Sequence, residues 1–218
     1  MNNFGRLLLT NIIVIIVLIG GGALGFYFYD QSANYVKTDN AKIDGQQIAI
    51  APSTNGKLTE WNGTEGQTFS AGDTVGQITT QDAKGNNVQV PVTMPKNGTI
   101  ALNNAVKDTF VAAGSPLAYA YDYNALYVTA NIKETDIDDI STGQKVDIYV
   151  DAYKGTTLTG RVKEIGFATS GNFSLLSTTN QSGNYTKVVQ VIPVKISIDS
   201  SKGVQLRPGM NVTVRIHT

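Results

Sequence analysis

The chain contains no cysteine. That absence excludes disulfides, thiolate zinc sites, iron–sulfur clusters and cysteine nucleophiles. It also excludes a lipidated N-terminal cysteine, and it suits an oxidising exterior. Histidine is nearly absent: the only one is His217, next to the C-terminus. A single histidine there gives no Ser-His-Asp site except at the last residues, and few transition-metal ligands. An excess of charge is missing as well, since 17 Lys and Arg balance 17 Asp and Glu. Without a cationic surplus, nucleic acid is not an expected partner. Nucleotide-binding motifs are lacking. The stretch at residues 155–161, GTTLTGR, has no Lys-Ser/Thr to hold phosphate and magnesium, and reads as a hairpin between strands. Asp136, Asp138 and Asp139 lack EF-hand spacing and its central glycine, so they read as the solvated start of a short helix over 135–140 capped by Thr135. No catalytic residue, cofactor or metal is assigned, and the chain is not expected to be an enzyme.

Long apolar runs are equally scarce, with one exception. Residues 7–28 carry no charge and include LLLTNIIVIIVLIGGGALGFYF. As a helix rising 1.5 Å per residue, the run spans about 30 Å, the hydrocarbon thickness of a bilayer. A cleaved signal peptide is the rival, but its apolar core is shorter and ends in small residues. This run ends in Phe26, Tyr27, Phe28 and Tyr29, which suit the membrane interface. The expectation is an uncleaved single-pass anchor in the cell membrane. Arg6 precedes the run, which places the N-terminus inside and the bulk of the chain outside. Gly21 and Gly25 form a small-xxx-small pair that permits close approach of another helix, although glycine is also tolerated near a helix end.

Beyond residue 45 the apolar period is two. Ile48 and Ile50, then Val88, Val90 and Val92, then Leu126, Val128, Ala130 and Ile132 alternate with small or polar residues. The same holds for Val146, Ile148 and Val150, for Val194, Ile196 and Ile198, and for Val212, Val214 and Ile216. Such alternation predicts half-buried strands. Asn55-Gly56, Asn62-Gly63, Gly85-Asn86 and Asn97-Gly98 supply turn signals.

An internal repeat carries more information. APSTNGKLTEWNGTEGQTFSAGDTV, from Ala51, matches MPKNGTIALNNAVKDTFVAAGSPL, from Met94. Gly56 to Gly72 has the spacing of Gly98 to Gly114. Pro52 and Pro95, Leu58 and Ile100, Val75 and Leu117 fall in corresponding places. Neither half can bury its apolar face alone, but two halves related by a pseudo-two-fold can share one core. The pattern resembles the biotinyl/lipoyl sandwiches. In carriers of that fold, a lysine on the hairpin between the halves is acylated. Here the hairpin is QDAKGNN with Lys84, and neither the Met-Lys-Met nor the Asp-Lys acceptor pattern is met. Lys84 therefore reads as a solvated tip.

Three further segments are similar to the membrane fusion proteins, the hemolysin-D/EmrA-type adaptors of secretion and multidrug efflux. The first is residues 35–58, with Thr38-Asp39-Asn40-Ala41 and Gly56. The second is residues 126–153, with Asn131, Lys133, Glu134, Gly143 and Gln144. The third is residues 171–199, followed by Leu206-Arg207-Pro208-Gly209-Met210. The resemblance implies a mainly β fold with an N-terminal transmembrane helix, a lipoyl-like barrel-sandwich hybrid and a β-barrel domain. The expected organisation is a cytoplasmic N-terminus at 1–6, an anchor at 7–28 and a linker with a lead-in strand at 29–44. A lipoyl-like domain then covers 45–120 and a barrel 121–218. Gly56, Gly72, Gly98, Gly114, Gly143, Pro208 and Gly209 are the fold-defining positions. Family members in two-membrane bacteria insert a long α-helical hairpin between the halves. Here about a dozen residues join them, so the resemblance implies a short form and a single-membrane envelope.

The implied role is an adaptor that works beside a separate multispanning transporter, a facilitator-type exporter ahead of an ATP-driven one, to export drugs or metabolites. Homo-oligomers are expected from the same resemblance. Residues 166–188 are long, polar and Gly/Ser/Thr/Asn-rich, and loops of that length tend to be functional or mobile. Phe173, Leu175, Leu176 and Tyr185 within it are candidate contacts for the transporter or a neighbouring protomer, unless the loop instead covers the barrel mouth. A cell-surface structural or wall-binding protein and a biotinyl/lipoyl-type carrier are the rival readings.

Overall fold

The computed structural model describes residues 11–23, 25, 34–169 and 189–218. Residues 11–23 are helical. No helix among the described residues is long and apolar enough to cross a membrane. The described residues after 34 are organised chiefly by strands. In chain order these are β1 (Tyr35–Asp44), β2 (Gln47–Ile50), β3 (Gly56–Trp61), β4 (Thr68–Phe69), β5 (Thr74–Gln81), β6 (Asn87–Thr93) and β7 (Gly98–Asn103). There follow β8 (Phe110–Val111), β9 (Ala118–Tyr121), β10 (Tyr127–Lys133), β11 (Lys145–Val150), β12 (Thr157–Ile165), β13 (Val191–Ile198) and β14 (Asn211–His217). The chain divides into two compact units, one of them Lys42–Val128 with Gly203–Met210.

That unit contains a sandwich of two four-stranded sheets, β2-β9-β7-β4 and β6-β5-β3-β8. The repeat explains the topology. The second half follows the first with an offset of 42 residues, as from Gly56 to Gly98, and each half completes the other's sheet. Strand β4 of the first half pairs with β7 of the second, and β8 of the second pairs with β3 of the first. Even the irregularities are repeated: bulges fall between Leu58 and Glu60 and between Ile100 and Leu102. A bulge bends a strand and increases its twist, which lets one strand serve a curved core. Ile50, Leu58, Val75, Ile78, Val92, Met94, Ile100, Leu117 and Ala118 fill the core between the sheets.

Several hydrogen bonds between the halves come in matched pairs. Gly66 N–H donates to Ile100 O and Asp108 N–H to Leu58 O, both at 2.8 Å. Gly72 N–H donates to Met94 O at 2.8 Å, and Gly114 N–H to Pro52 O at 2.9 Å. This last pair corrects the expected alignment by one residue, because the partner of Pro52 is Met94 and not Pro95. Both turn glycines have positive φ, 89° at Gly72 and 75° at Gly114, a region where a Cβ is strained.

Two other expectations change. Asn55-Gly56 and Asn97-Gly98 are not tight hairpin turns, and neither glycine has positive φ. Each Asn side chain instead ties down the other half's turn. Asn55 Oδ1 accepts from Ala113 N–H at 2.7 Å, and Asn97 Oδ1 from Ala71 N–H at 2.8 Å. The glycines are needed for close approach: a Cβ on Gly56 would lie 2.5 Å from Thr79 O and from Ile78 Cγ2. Val88 alternates as expected but is exposed, because it pairs with Thr80 beyond Ile78, the last core residue of β5.

The other unit holds a closed six-stranded barrel, β1-β10-β13-β12-β11-β14. Its interior is filled by alternate residues, among them Ile132, Val146, Ile148, Leu158, Val162, Val194, Ile196, Val214 and Ile216, all buried. Closure removes free edges from the sheet. Where β12 meets β13, Gly160 is the only residue type that fits, since a Cβ there would collide with the Ser197 carbonyl oxygen. The short helix expected at 135–140 is a 3₁₀ turn, Glu134–Asp139. Thr135 is not its cap. The cap position is Lys133, without a side-chain cap bond, and the Thr135 hydroxyl donates to Asp136 Oδ1 at 2.6 Å.

Candidate functional site

Three surfaces carry the features that the sequence analysis singled out. The first is the helix at 11–23. All eight side chains from Ile12 to Ile19 are exposed, from 45% at Ile12 to 68% at Leu18. A helix that is apolar all round has no solvated face, and it belongs in a protein core or in lipid. Gly21 and Gly25 lie here, and a Cβ on either would meet nothing within 4 Å.

The second surface is the junction between the sandwich halves. Residues 82–86 connect β5 to β6 as a compact turn built on Asp82. Its Oδ1 accepts from the Lys84 and Asn86 amides, both at 2.8 Å, and Oδ2 accepts from Asn86 Nδ2 at 3.2 Å. Asn86, through its amide and its side chain, is the main reason the Asp82 carboxyl sits below the usual carboxylate range. Such self-contained bonding ends the hairpin without help from any longer insert. Lys84 is exposed at the tip.

The third surface lies outside the barrel. Asp147 on β11 is paired with Arg215 on β14, and both point away from the buried Val146, Ile148, Val214 and Ile216. Asp147 Oδ2 accepts from Arg215 Nη2 at 2.9 Å and Nε at 3.3 Å. His217 Nε2 lies 3.0 Å from the same oxygen. Arg215 Cζ stands 4.6 Å over the Tyr35 ring, and the His217 ring meets Tyr35 edge-on at 4.9 Å. Burial pushes the Asp147 carboxyl up, but the hydrogen bonds and charges of Arg215 and His217 outweigh it and hold the carboxyl below its ordinary value. The alternation of β11 and β14 signalled which way these side chains face. The register that joins them left no trace in the sequence, and the cluster was not expected.

The remaining expected positions have structural places. Gly98 adjoins Ile48, Met94 and the Tyr121 carbonyl. Gly143 has φ 92°, and its N–H donates to Val162 O. Gly209 N–H donates to Ile43 O at 2.8 Å, while Pro208 packs toward Gly45. Phe173, Leu175, Leu176 and Tyr185 lie outside the described residues. Of that loop's described flanks, Phe167 and Val189 are exposed. Among the described residues no group of His, Asp or Glu could hold a metal ion.

Comparison with known proteins agrees with this architecture segment by segment. Residues 46–122 match the model of the YhbJ barrel-sandwich hybrid domain, and residues 126–216 match the YknX-like beta-barrel domain. The chain is 49% identical over 214 residues to a putative efflux system component, YhbJ, of Bacillus subtilis, covering 98% of this chain and 94% of that protein. It is 40% identical over 126 residues to the colistin resistance protein EmrA of Acinetobacter baumannii, where it spans only 36% of the relative. Among solved structures, ZneB of Cupriavidus metallidurans superposes with a TM-score of 0.60 at 16% identity, covering 84% of this chain and 98% of ZneB. The membrane fusion protein Spr0693 of Streptococcus pneumoniae gives 0.57 at 11% identity, with the same two coverages. At those identities the structures speak for the fold alone. The near full-length relative, the two domain matches and a sandwich whose halves meet through residues 82–86 instead of a helical insert lead to one assignment: the chain belongs to the membrane fusion protein, or periplasmic adaptor, family of efflux and secretion systems, in the short form without the α-helical hairpin.

Proposed function

We propose that the chain is a non-enzymatic, membrane-anchored adaptor subunit of an efflux system, working with a separate multispanning transporter. The observation that carries this reading is the collinear 49% identity to an efflux system component over 98% of the chain. The eight exposed apolar side chains of the helix support anchoring, since water is a poor solvent for such a surface. In this reading residues 1–6 lie inside, residues 7–28 span the cell membrane, residues 29–44 lead into the exterior part, and the domains at 45–120 and 121–218 stand outside. A facilitator-type exporter is the favoured partner, with an ATP-driven one as the alternative. The chain assembles with further copies of itself, and Gly21 and Gly25 offer a close helix contact. Phe173, Leu175, Leu176 and Tyr185 are the proposed contacts to the transporter or a neighbouring protomer. The short β5–β6 turn favours a single-membrane envelope.

Affinity purification of the tagged full-length chain from crosslinked membranes of its own source, read by mass spectrometry, tests the proposal. One multispanning transporter in stoichiometric yield is expected. The double substitution Phe173→Ser and Leu176→Ser should reduce that yield with membrane level unchanged. Recovery of wall components alone, with the chain intact in the membrane, would replace the adaptor by a surface-structural protein. An acyl adduct at Lys84 would point to a carrier.

A further inference from the structure

Beside the Asp147–Arg215–His217 cluster, Lys37, Tyr149, Thr213 and Arg215 wall a hollow of about 290 Å³ on the outer face of the barrel. Tyr149 and Thr213 are paired across β11 and β14, next to the pair of Asp147 and Arg215. The guanidinium is held in place before any ligand arrives. Two of its nitrogens bind Asp147 and its plane lies over Tyr35. Its Nη1 forms no bond among the described residues. Lys37 is exposed, and no described carboxylate pairs with it. The hydroxyls of Tyr149 and Thr213 likewise have no acceptor among the described residues. Four donors, two of them cationic, therefore border one concavity, and only Arg215 among them has a described protein acceptor, Asp147. Asp147 offsets the charge of Arg215, which leaves Lys37 as the cation of the hollow without a described carboxylate partner.

We propose that this hollow binds the phosphate of a phosphate ester that carries net negative charge. A fixed guanidinium, an exposed ammonium and two hydroxyls suit a tetrahedral oxyanion, and charge-assisted bonds are the strong ones. The hollow is open to solvent and has room for a phosphate headgroup. Two sources carry this chemistry, an anionic lipid headgroup and a soluble phosphate ester. Lys37 stands nine residues beyond Phe28. At about 3.3–3.6 Å per extended residue it lies within roughly 30 Å of the end of the apolar run. A lipid source is thus within reach, and this part rests on the anchoring proposed above.

The test uses the full-length chain in nanodiscs of phosphatidylcholine, of phosphatidylcholine with phosphatidylglycerol, and of phosphatidylcholine with glycerol 1-phosphate added in solution. Amide exchange is followed in peptides covering residues 35–40 and 211–217. Slowed exchange with phosphatidylglycerol alone assigns the site to lipid, and slowing with glycerol 1-phosphate assigns it to a soluble ester. In either case Lys37→Gln should raise the half-saturating concentration roughly tenfold, the loss of one charge-assisted contact, with Tyr149→Phe giving a smaller rise. Equal exchange in all three conditions, or a response that Lys37→Gln leaves unchanged, overturns the inference. Failure of the chain to enter nanodiscs, read separately by flotation, counts against anchoring only, because the glycerol 1-phosphate titration can be repeated without lipid.

Discussion

In the sandwich several fastening bonds between halves have a counterpart 42 residues away, whereas the charged cluster on the barrel has none. Asn55 holds the turn at Ala113 as Asn97 holds the turn at Ala71. Asp147, in contrast, gathers Arg215 and His217 onto one oxygen. Duplication spreads the work of holding a fold over equivalent sites. A single cluster concentrates it, and makes that part of the molecule sensitive to one residue and to pH. The sole tryptophan, Trp61, lies in the sandwich and the sole histidine in the barrel, so each part carries its own spectroscopic reporter.

The largest effect should come from breaking the equivalence of the repeat at its glycines. A Cβ on Gly56 would sit 2.5 Å from a backbone oxygen, while one on Gly98 would come no closer than 3.1 Å to its neighbours. Gly56→Ala should cost about 3 kcal/mol and Gly98→Ala about 1 kcal/mol, as overpacking does. Urea unfolding followed by Trp61 fluorescence measures both, and equal costs would mean that the sandwich relaxes alike around the two sites.

Next comes the barrel cluster. Asp147→Ala should destabilise the barrel by about 2 kcal/mol, the loss of hydrogen bonds to a charged group that is only partly exposed. The readout is amide exchange in β11 and β14 together with the His217 ring signals. The folded carboxyl lies below its ordinary value of 3.8, so its contribution is complete above that value and disappears as pH falls through the lower folded pKa. The difference between wild type and Asp147→Asn should therefore persist at about pH 5 and vanish in stronger acid. A difference that survives there would assign the effect to packing.

The smallest effect tests redundancy itself. Asn55→Ala and Asn97→Ala should each cost about 1 kcal/mol, one hydrogen bond apiece. Their sum should match the double variant within about 0.5 kcal/mol, because they share no partner. Strong coupling would show that the two halves respond as one body.

Much of the strand content could be read from the chain. Val146, Ile148 and Val150, and Val212, Val214 and Ile216, alternate in the sequence and are buried as expected. Periodicity works there because a closed barrel gives each strand one dry face. It misled at Val88, where the hairpin outruns the core and an apolar residue has nothing to cover it. Asn-Gly pairs misled too. As dipeptides they signal positive φ, but at Asn55 and Asn97 the side chains serve turns 58 and 26 residues distant in sequence.

By itself the sequence determined the classes of chemistry excluded by a cysteine-free, single-histidine, charge-balanced chain. It also determined the one long apolar run and the two-half sandwich. These are properties of composition, of local period and of similarity between segments, and all three are visible without a partner in space. Only the tertiary structure decided that Asn55 and Asn97 each tie down a turn of the other half and that Thr135 caps nothing. It alone decided that Lys37, Tyr149, Thr213 and Arg215 border one hollow. Those facts depend on register and on strand order around a closed sheet. Register there is fixed by the packing of many distant side chains at once, and no single segment encodes it.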